Sequence, residues 1–291
     1  VADRHRPLAQ SEPCAALLLM LAERLWNLRD LEAPAFNDSP DAVHQARVEV
    51  RRIRSLLKAF GPVLDDEVSA ALIVELKWAG VVLGVPRDAE VAIADLGSLV
   101  RGLPSGEVVG PVLERLDSAL THRHAEAMTR LRQAMLSRRW PGIQMGFTEL
   151  LRLPTNRCEA GTGTLNRLAA DIDEKVALRL SRALEQPGEW ELWHVVRKAA
   201  KEAYYVHDAL VSFGIQPAKV ERRWRRVTRA LGRVQDTVVL AEVLAEVEAQ
   251  AVLAGEPTDT YQLLHEQLMK RRDRELTKGR TRLRKALHGG H

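Results

Sequence analysis

His44, Arg47, Arg51, Arg54 and Lys58 recur at intervals of three and four residues. At about 100° per residue they fall within roughly 80° of one another on a helix. The chemistry of such a face is anion binding. Guanidinium forks match phosphate or carboxylate oxygens in pairs, an ammonium adds a point charge, and an imidazole donates a hydrogen bond. Glu49 points elsewhere, so the stripe carries no acid. A merely solvated helix face mixes its signs, often with Glu four residues before Lys. A stripe of one sign repels itself and calls for a ligand.

Other segments repeat the pattern. Arg271, Arg274, Lys278, Arg282 and Lys285 share a face about 80° wide, and Arg222, Arg225, Arg226, Arg229 and Arg233 share one of about 100°. His194, Arg197 and Lys201 align, with Tyr204 and Tyr205 beside them. Charge is also segregated along the chain. Residues 219–233 hold seven basic side chains and one acidic, 234–269 hold no Lys or Arg and seven acids, and 270–285 hold nine basic and two acidic. Of the 43 basic residues only nine are Lys, an excess of Arg that suits phosphate but that a GC-rich genome would also produce. Four stripes of one sign predict a concave surface or channel lined with cations, and an extended polyanion as its ligand.

The elements that must hold these stripes read as helix after helix. Periodicity places them at 8–31, 40–60, 65–83, 87–101, 107–139, 142–151, 164–185, 190–212, 217–232, 235–254 and 258–287. Ser39-Pro40-Asp41 reads as an N-cap with proline at the first helical position. Gly61-Pro62, Gly84-Val85-Pro86, Pro187-Gly188 and the run from Gly214 to Pro217 read as stops. Opposite the first basic stripe, Ala46, Val50, Ile53, Leu56, Leu57 and Phe60 form an ordinary core face. No alternating strand pattern of useful length occurs, so the expected class is all-α.

The two halves also echo each other. Val43-His44-Gln45-Ala46-Arg47, with Arg51, returns as Trp193-His194-Val195-Val196-Arg197, with Lys201, at an offset of 150. The segment from Lys77 to Val91 returns from Arg225 to Val239 at an offset of 148, matching Gly84 with Gly232 and Asp88 with Asp236. At that offset His122, Arg123, Arg130 and Arg132 fall on Lys270, Arg271, Lys278 and Arg280. Three blocks in one order predict a duplicated helical unit with a pseudo-twofold relation between halves, divided near the linker at 153–164. Asp88 and Asp236 each follow an expected helix stop, which predicts N-caps.

The chain of 291 residues and 32.5 kDa allows one large domain or two ordinary ones. It is 46% hydrophobic and 28% charged but only 4% aromatic, a globular and helix-favouring composition. Cys14 and Cys158 are too few for a disulfide scaffold or a four-cysteine zinc module, which points to a reduced cytoplasmic setting. The longest unbroken apolar run, Cys14 to Ala22, is nine residues, too short for a bilayer, and no cleavage site follows it. Membrane and secreted readings are therefore set aside. The chain begins with Val1, as it would if an upstream part had been removed.

VHQARVEVRRIRSLLKAF, from Val43 to Phe60, resembles the His-x-x-Arg pattern of the CHAD family, the conserved histidine α-helical domain. ELWHVVRKAAKEAYYVHDAL resembles its second copy. LGVPRDAEV and LGRVQDTVV resemble the blocks that follow each. The resemblance covers roughly residues 8–288. It implies two antiparallel four-helix bundles, here residues 1–153 and 164–291 of one domain, about a pseudo-twofold axis. Between them it implies a basic central cavity that binds inorganic polyphosphate, with association with polyphosphate granules. The implied binding positions in the first half are His44, Arg47, Arg51, Arg52 and Arg54, and in the second His194, Arg197, Lys201 and Tyr205. The stripes and echoes extend the expected set to Lys58, Lys77, Arg87, Arg123, Arg130, Arg225, Arg229, Arg271, Arg274, Lys278 and Arg282. Glu202, Tyr204 and Asp208 stand where the first copy has Arg52, Arg54 and Lys58, so the second half should contribute less. Protonation of His44 and His194 would add charge, so binding should strengthen toward mild acid.

Three other classes remain as alternatives. A sequence pI near 9.2 and Arg stripes would suit a nucleic-acid backbone, although stacking aromatics near the stripes are limited to Trp224 and the Tyr204-Tyr205 pair. His122-x-His124 and the terminal His288 and His291 suggest metal, but the first pair points to different helix faces and neither pair is expected to have carboxylate or thiolate partners nearby. A phosphatase would need carboxylates to hold a metal or direct water, and no Walker loop, His-Glu-x-x-His, Gly-x-Ser-x-Gly or Cys-x-x-Cys is present. The expectation is a polyphosphate-binding module that is not an enzyme and uses no cofactor or metal.

Overall fold

Eleven α-helices and one 3-10 turn carry the chain, with no strand among the described residues, in a computed structural model that describes residues 13–64, 66–152 and 161–288. The helices are α1 (Pro13–Asp30), α2 (Glu32–Phe36), α3 (Ala42–Leu64), α4 (Asp66–Val82), α5 (Gly84–Arg101), α6 (Val112–Leu136), α7 (Arg139–Arg152), α8 (Thr162–Glu185), α9 (Trp190–Ser212), α10 (Ala218–Leu253) and α11 (Asp259–His288). Most of the expected linker, residues 153–160, and residues 8–12 of the first expected helix lie outside the described residues.

Several helix ends differ from expectation. Residues 39–41 form a turn rather than a capped helix start. Asp41 takes φ 63°, the amide of Ala42 donates to Ser39 O at 3.1 Å, and Gln45 Nε2 donates to Asp41 Oδ2 at 2.6 Å. Gly61-Pro62 does not stop α3, which runs on to Leu64. Gly61 is required there by packing: a Cβ would meet Ser69 Cβ at 3.0 Å. Only Leu83 separates α4 from α5, and Pro86 sits in the first turn of α5, where a missing N–H leaves no helical bond unmade. Residues 217–232 and 235–254 belong to one 36-residue helix, α10, with Gly232 in its interior. Asp88 and Asp236 therefore lie inside α5 and α10 and cap neither.

The apolar faces fix the rotation of each helix. Burial of Val50, Ile53, Leu57 and Phe60 of α3 contributes about 1.5–3 kcal/mol per side chain, which turns the cations away from the core. α3 packs on α1, α4 and α9, α9 packs on α8 and α10, and α10 pairs with α11. The larger core takes Leu21 of α1, Leu76 of α4, Phe147 of α7, Val176 of α8, Val196 of α9 and Leu283 of α11. A smaller one joins Leu96 of α5 and Leu116 of α6 to Leu244 of α10 and Tyr261 of α11. Each core draws on both halves of the sequence, so neither is confined to residues 1–153 or 164–291.

Glu67–Arg101 is long and apolar enough, by length and composition, to cross a membrane, with mean hydropathy 1.8 and a third of its apolar window buried. Single charges such as Glu75 and Lys77 interrupt its apolar run. Cys14 is buried in α1.

Candidate functional site

The two His-x-x-Arg helices pack on each other. α9 buries Trp193, Val196, Ala200, Ala203 and Val206, which leaves His194, Arg197 and Lys201 on a pocket wall it shares with α3. Arg51 Nε crosses between the helices to donate to Tyr205 Oη at 2.8 Å. The pocket has a volume of about 590 Å³. α3 supplies His44, Arg47, Arg51 and Arg52 to it, α5 supplies Arg87 and Asp88, and α10 supplies Arg225, Arg229 and Asp236. A second pocket of about 360 Å³ adjoins it, lined by Arg54, Lys58, Lys77, Lys175, Arg179 and Lys198. Arg47, Arg51, Arg197 and Lys201 line both.

The cations of these walls fall into two groups. Some are already paired: Arg47 with Asp88 at 2.6 Å, Arg87 with Glu90 at 2.8 Å, and Arg52 with Asp208 at 3.5 Å and Glu49 at 3.7 Å. Others have no ion-pair or hydrogen-bond partner among the described residues, namely Arg197, Lys201, Arg54 and Lys58. Their titration reflects it. Burial, then the neighbouring Arg51 and Arg47, pushes Arg197 down to about 10 against the pull of Asp236. Burial and the charges of Arg197, Arg51 and Arg47 hold Lys201 well below the usual lysine range. Burial and then Arg51 lower Arg54, and burial and then Arg54 lower Lys58. Arg52 behaves oppositely: burial opposes its charge, but Asp208 and Glu49 outweigh it and its pKa rises. Burial raises Asp236, although Arg197 and Lys201 favour its charged form. The site is a cluster of cations held together against repulsion, which is a free-energy cost that an anionic ligand would relieve.

Of the expected residues, His44, Arg47, Arg51, Arg52, Arg87, His194, Arg197, Lys201, Tyr205, Arg225 and Arg229 meet at the first pocket. Arg54, Lys58 and Lys77 meet at the second. The other six lie at neither. Arg123 pairs with Glu246 at 2.6 Å and Arg130 with Glu126 at 3.1 Å. Arg271 reaches Asp95 at 3.3 Å, Lys278 reaches Glu275 at 2.7 Å, and Arg274 lies 4.0 Å from Glu275. Arg282 donates to the carbonyl of Arg226 at 3.2 Å. The α11 stripe therefore ties helices together rather than facing the pockets, because the buried Glu275 also binds Arg233 of α10 at 2.6 Å.

The CHAD domain model of known families matches residues 19–245 of this sequence. The chain belongs to the CHAD family. Two uncharacterized proteins from strains of Mycobacterium tuberculosis are 34% identical to it over 253 residues, 84% of this chain and 46% of theirs, so the chain spans about half the length of these curated relatives. PptA from Streptomyces chartreusis superposes with a TM-score of 0.78 at 20% identity, covering 94% of this chain and all of PptA. The CHAD domain from the plant Ricinus communis gives 0.68 at 22% identity, covering 100% and 98%. At these identities the two structures establish the shared helical fold.

Within this CHAD domain, Lys175 and Arg179 of α8, Lys198 of α9 and the carboxylates Asp88 and Asp236 join the pockets without having stood among the expected residues. Lys175 and Arg179 are one turn apart, the only available signal, and acids at Asp171, Asp173 and Glu174 obscure it. The acids of the second copy serve as partners: Glu202 accepts from Lys175 at 3.2 Å, and Asp208 pairs with Arg52. His124 does have carboxylates beside it, contrary to expectation. Asp38 and Glu90 reach it from other parts of the chain.

Proposed function

We propose that this CHAD domain binds inorganic polyphosphate along the two adjoining pockets, as a binding module and not as a catalyst. The observation that carries this reading is the group of four cations common to both pockets, two of which, Arg197 and Lys201, have no partner among the described residues. A chain of phosphates supplies one negative charge per short repeat and can accept from guanidinium and ammonium groups on both walls at once. The carboxylates at the first pocket favour a binding role, since Asp88 is engaged by Arg47 and Asp236 lies among Arg197 and Lys201. Polyphosphate storage granules in the cytoplasm are the setting this reading implies.

The aromatic groups favour polyphosphate over nucleic acid. Trp224 is 1% exposed and stacks on His207, and Tyr205 is buried under Arg51 and Arg52, which leaves the half-buried Tyr204 as the one aromatic ring of the first pocket's lining that a base could reach. Titration with long-chain polyphosphate, short oligophosphates and duplex DNA tests the reading. The expected result is affinity that rises with phosphate chain length and exceeds that for DNA. Binding to DNA as tight as to polyphosphate would overturn it.

The affinity should depend on pH through His44. Burial and the charge of Arg87, with smaller pushes from Arg51 and Arg47, lower its pKa in the free protein. A polyanion reverses the electrostatic part of that shift, so the complex holds the proton more tightly than the free protein does. Affinity then rises as pH falls through the window between the higher bound and the lower free pKa. Asp236, raised by burial, adds a second acid-side gain as its charge is lost. Titrations across this range should show tighter binding in mild acid and a smaller gain in His44→Gln. An identical gain in that variant would remove His44 from the effect.

A further inference from the structure

Outside the cation pockets, His124 of α6, Asp38 of the α2–α3 turn and Glu90 of α5 each present one ligand atom, and these atoms all lie within 4.8 Å of one another. His124 Nε2 is 2.9 Å from Asp38 Oδ2. Its other ring nitrogen, Nδ1, faces the carbonyl oxygen of Pro86 at 3.4 Å. A carbonyl only accepts, so the neutral tautomer with its proton on Nδ1 suits that contact and leaves Nε2 to face Asp38 and Glu90. At that distance a proton on Nε2 joins the imidazole to Asp38, and a metal ion taking the place of that proton would draw on the same lone pair together with both carboxylates. We propose that His124, Asp38 and Glu90 form a binding site for a divalent transition-metal ion of the zinc or manganese class.

The donor set fits that class. One imidazole nitrogen and two carboxylates are ligands of borderline and hard character. With metal–ligand distances near 2.0–2.2 Å, tetrahedral ligands stand about 3.3 Å apart, which the three side chains reach by small adjustments. The ring nitrogen held on a backbone carbonyl is the usual outer support of a metal-binding histidine. The three groups come from separate elements, and His124 is largely enclosed, with 19% of its side chain exposed. Three protein ligands leave a fourth position open. Glu90 is also the partner of Arg87, which lines the first cation pocket. An ion that draws Glu90 to itself would leave that guanidinium less neutralised at the pocket wall. His122, two residues away, is exposed and lies beside Glu126, outside the cluster.

Calorimetric titration of the metal-stripped protein with Zn²⁺, at a pH above the histidine range, tests the site, with Co²⁺ absorption as a spectroscopic readout. The expected result is one ion per chain, with proton release as pH is lowered toward the histidine range because ion and proton compete for Nε2. His124→Ala should weaken binding about 100-fold, the upper end of what loss of even an outer-shell partner costs. Glu90→Gln and Asp38→Asn should each weaken it at least about 10-fold, and His122→Ala should leave it unchanged. No binding by the unaltered protein overturns the proposal. So does equal affinity in His124→Ala and Glu90→Gln, which would assign any bound ion to other histidines. Should His124→Ala lose helicity, Glu90→Gln decides the matter, because its side chain keeps its size and remains able to contact Arg87.

Discussion

Replacing Arg197 and Lys201 together by Met should weaken binding of long-chain polyphosphate about 100-fold or more and at the same time raise the melting temperature. The loss follows from two charge-assisted contacts, each contributing about 1.5–3 kcal/mol. The gain follows from the same observation read in the free protein. Neither cation has a partner among the described residues, and burial together with the charges of Arg51 and Arg47 lowers both pKa values. Methionine keeps the apolar bulk of either side chain and removes the charge, and apolar replacement of poorly compensated buried charge often stabilises by about 1–4 kcal/mol. In a chain of this size each kcal/mol moves the melting temperature by roughly 2–3 °C. Binding by titration and melting by circular dichroism check the two signs on one preparation. If both quantities fall, the pair supports the fold instead. An unchanged affinity would mean that the ligand does not enter between α3 and α9.

The α3 stripe is legible in the sequence because one helix carries both of its faces. Val50, Ile53 and Phe60 run out of phase with Arg47, Arg51 and Arg54, so burying the first set determines where the second points. The α11 stripe shows the limit of that argument. Periodicity reveals that Arg271, Arg274 and Lys278 share a face, but not that Asp95 of α5 meets it or that Glu275 of the same helix is buried beside it. Asp95 is a tertiary fact, whereas Glu275 stands three residues before Lys278 on the same helix, and a stripe of one sign in sequence need not be one in space. Asp88 was misread for the same reason. Its position after Gly84 and Pro86 suggests a cap, whereas its partner is Arg47, brought near from another helix.

Helix existence was legible and several helix ends were not. Gly61-Pro62 reads as a stop because proline removes an N–H and crowds the preceding turn. Contacts with α4 hold α3 helical through it, and they need the glycine where Ser69 approaches. Gly232 reads as an end for its flexibility, yet it lies within α10, on the wall of the first pocket, where a Cβ would meet nothing within 4 Å. In both cases packing outweighs a local preference of about 1–3 kcal/mol. The echo of Gly84 in Gly232 and of Asp88 in Asp236 is still informative, because all four lie at or beside the first pocket: Asp88, Gly232 and Asp236 line it, and Arg47 contacts the carbonyl of Gly84 at 3.4 Å.

A fourfold rise in salt should weaken polyphosphate binding by about 6,000-fold, and the size of that effect identifies which cations the ligand meets. Each phosphate neutralised releases condensed counterions, so the logarithm of affinity falls with the logarithm of salt at about 0.7 per contact for a single-stranded polyanion. Arg51, Arg54, Lys58, Lys77, Arg179, Arg197, Lys198, Lys201 and Arg229 line the pockets without a carboxylate partner among the described residues. Nine such contacts give a slope of about −6. Arg47, Arg52 and Arg87 count for less, since a phosphate that takes one of them must displace Asp88, Asp208 or Glu90. That exchange returns a carboxylate to solvent with its own counterions, and it nearly cancels in the slope. Removing Arg197 and Lys201 should therefore flatten the slope by about 1.4, whereas Arg87→Ala should leave it nearly unchanged. A slope in the double Met variant equal to that of the unaltered protein would place the ligand on the outer stripes of α10 and α11 and not between the two His-x-x-Arg helices.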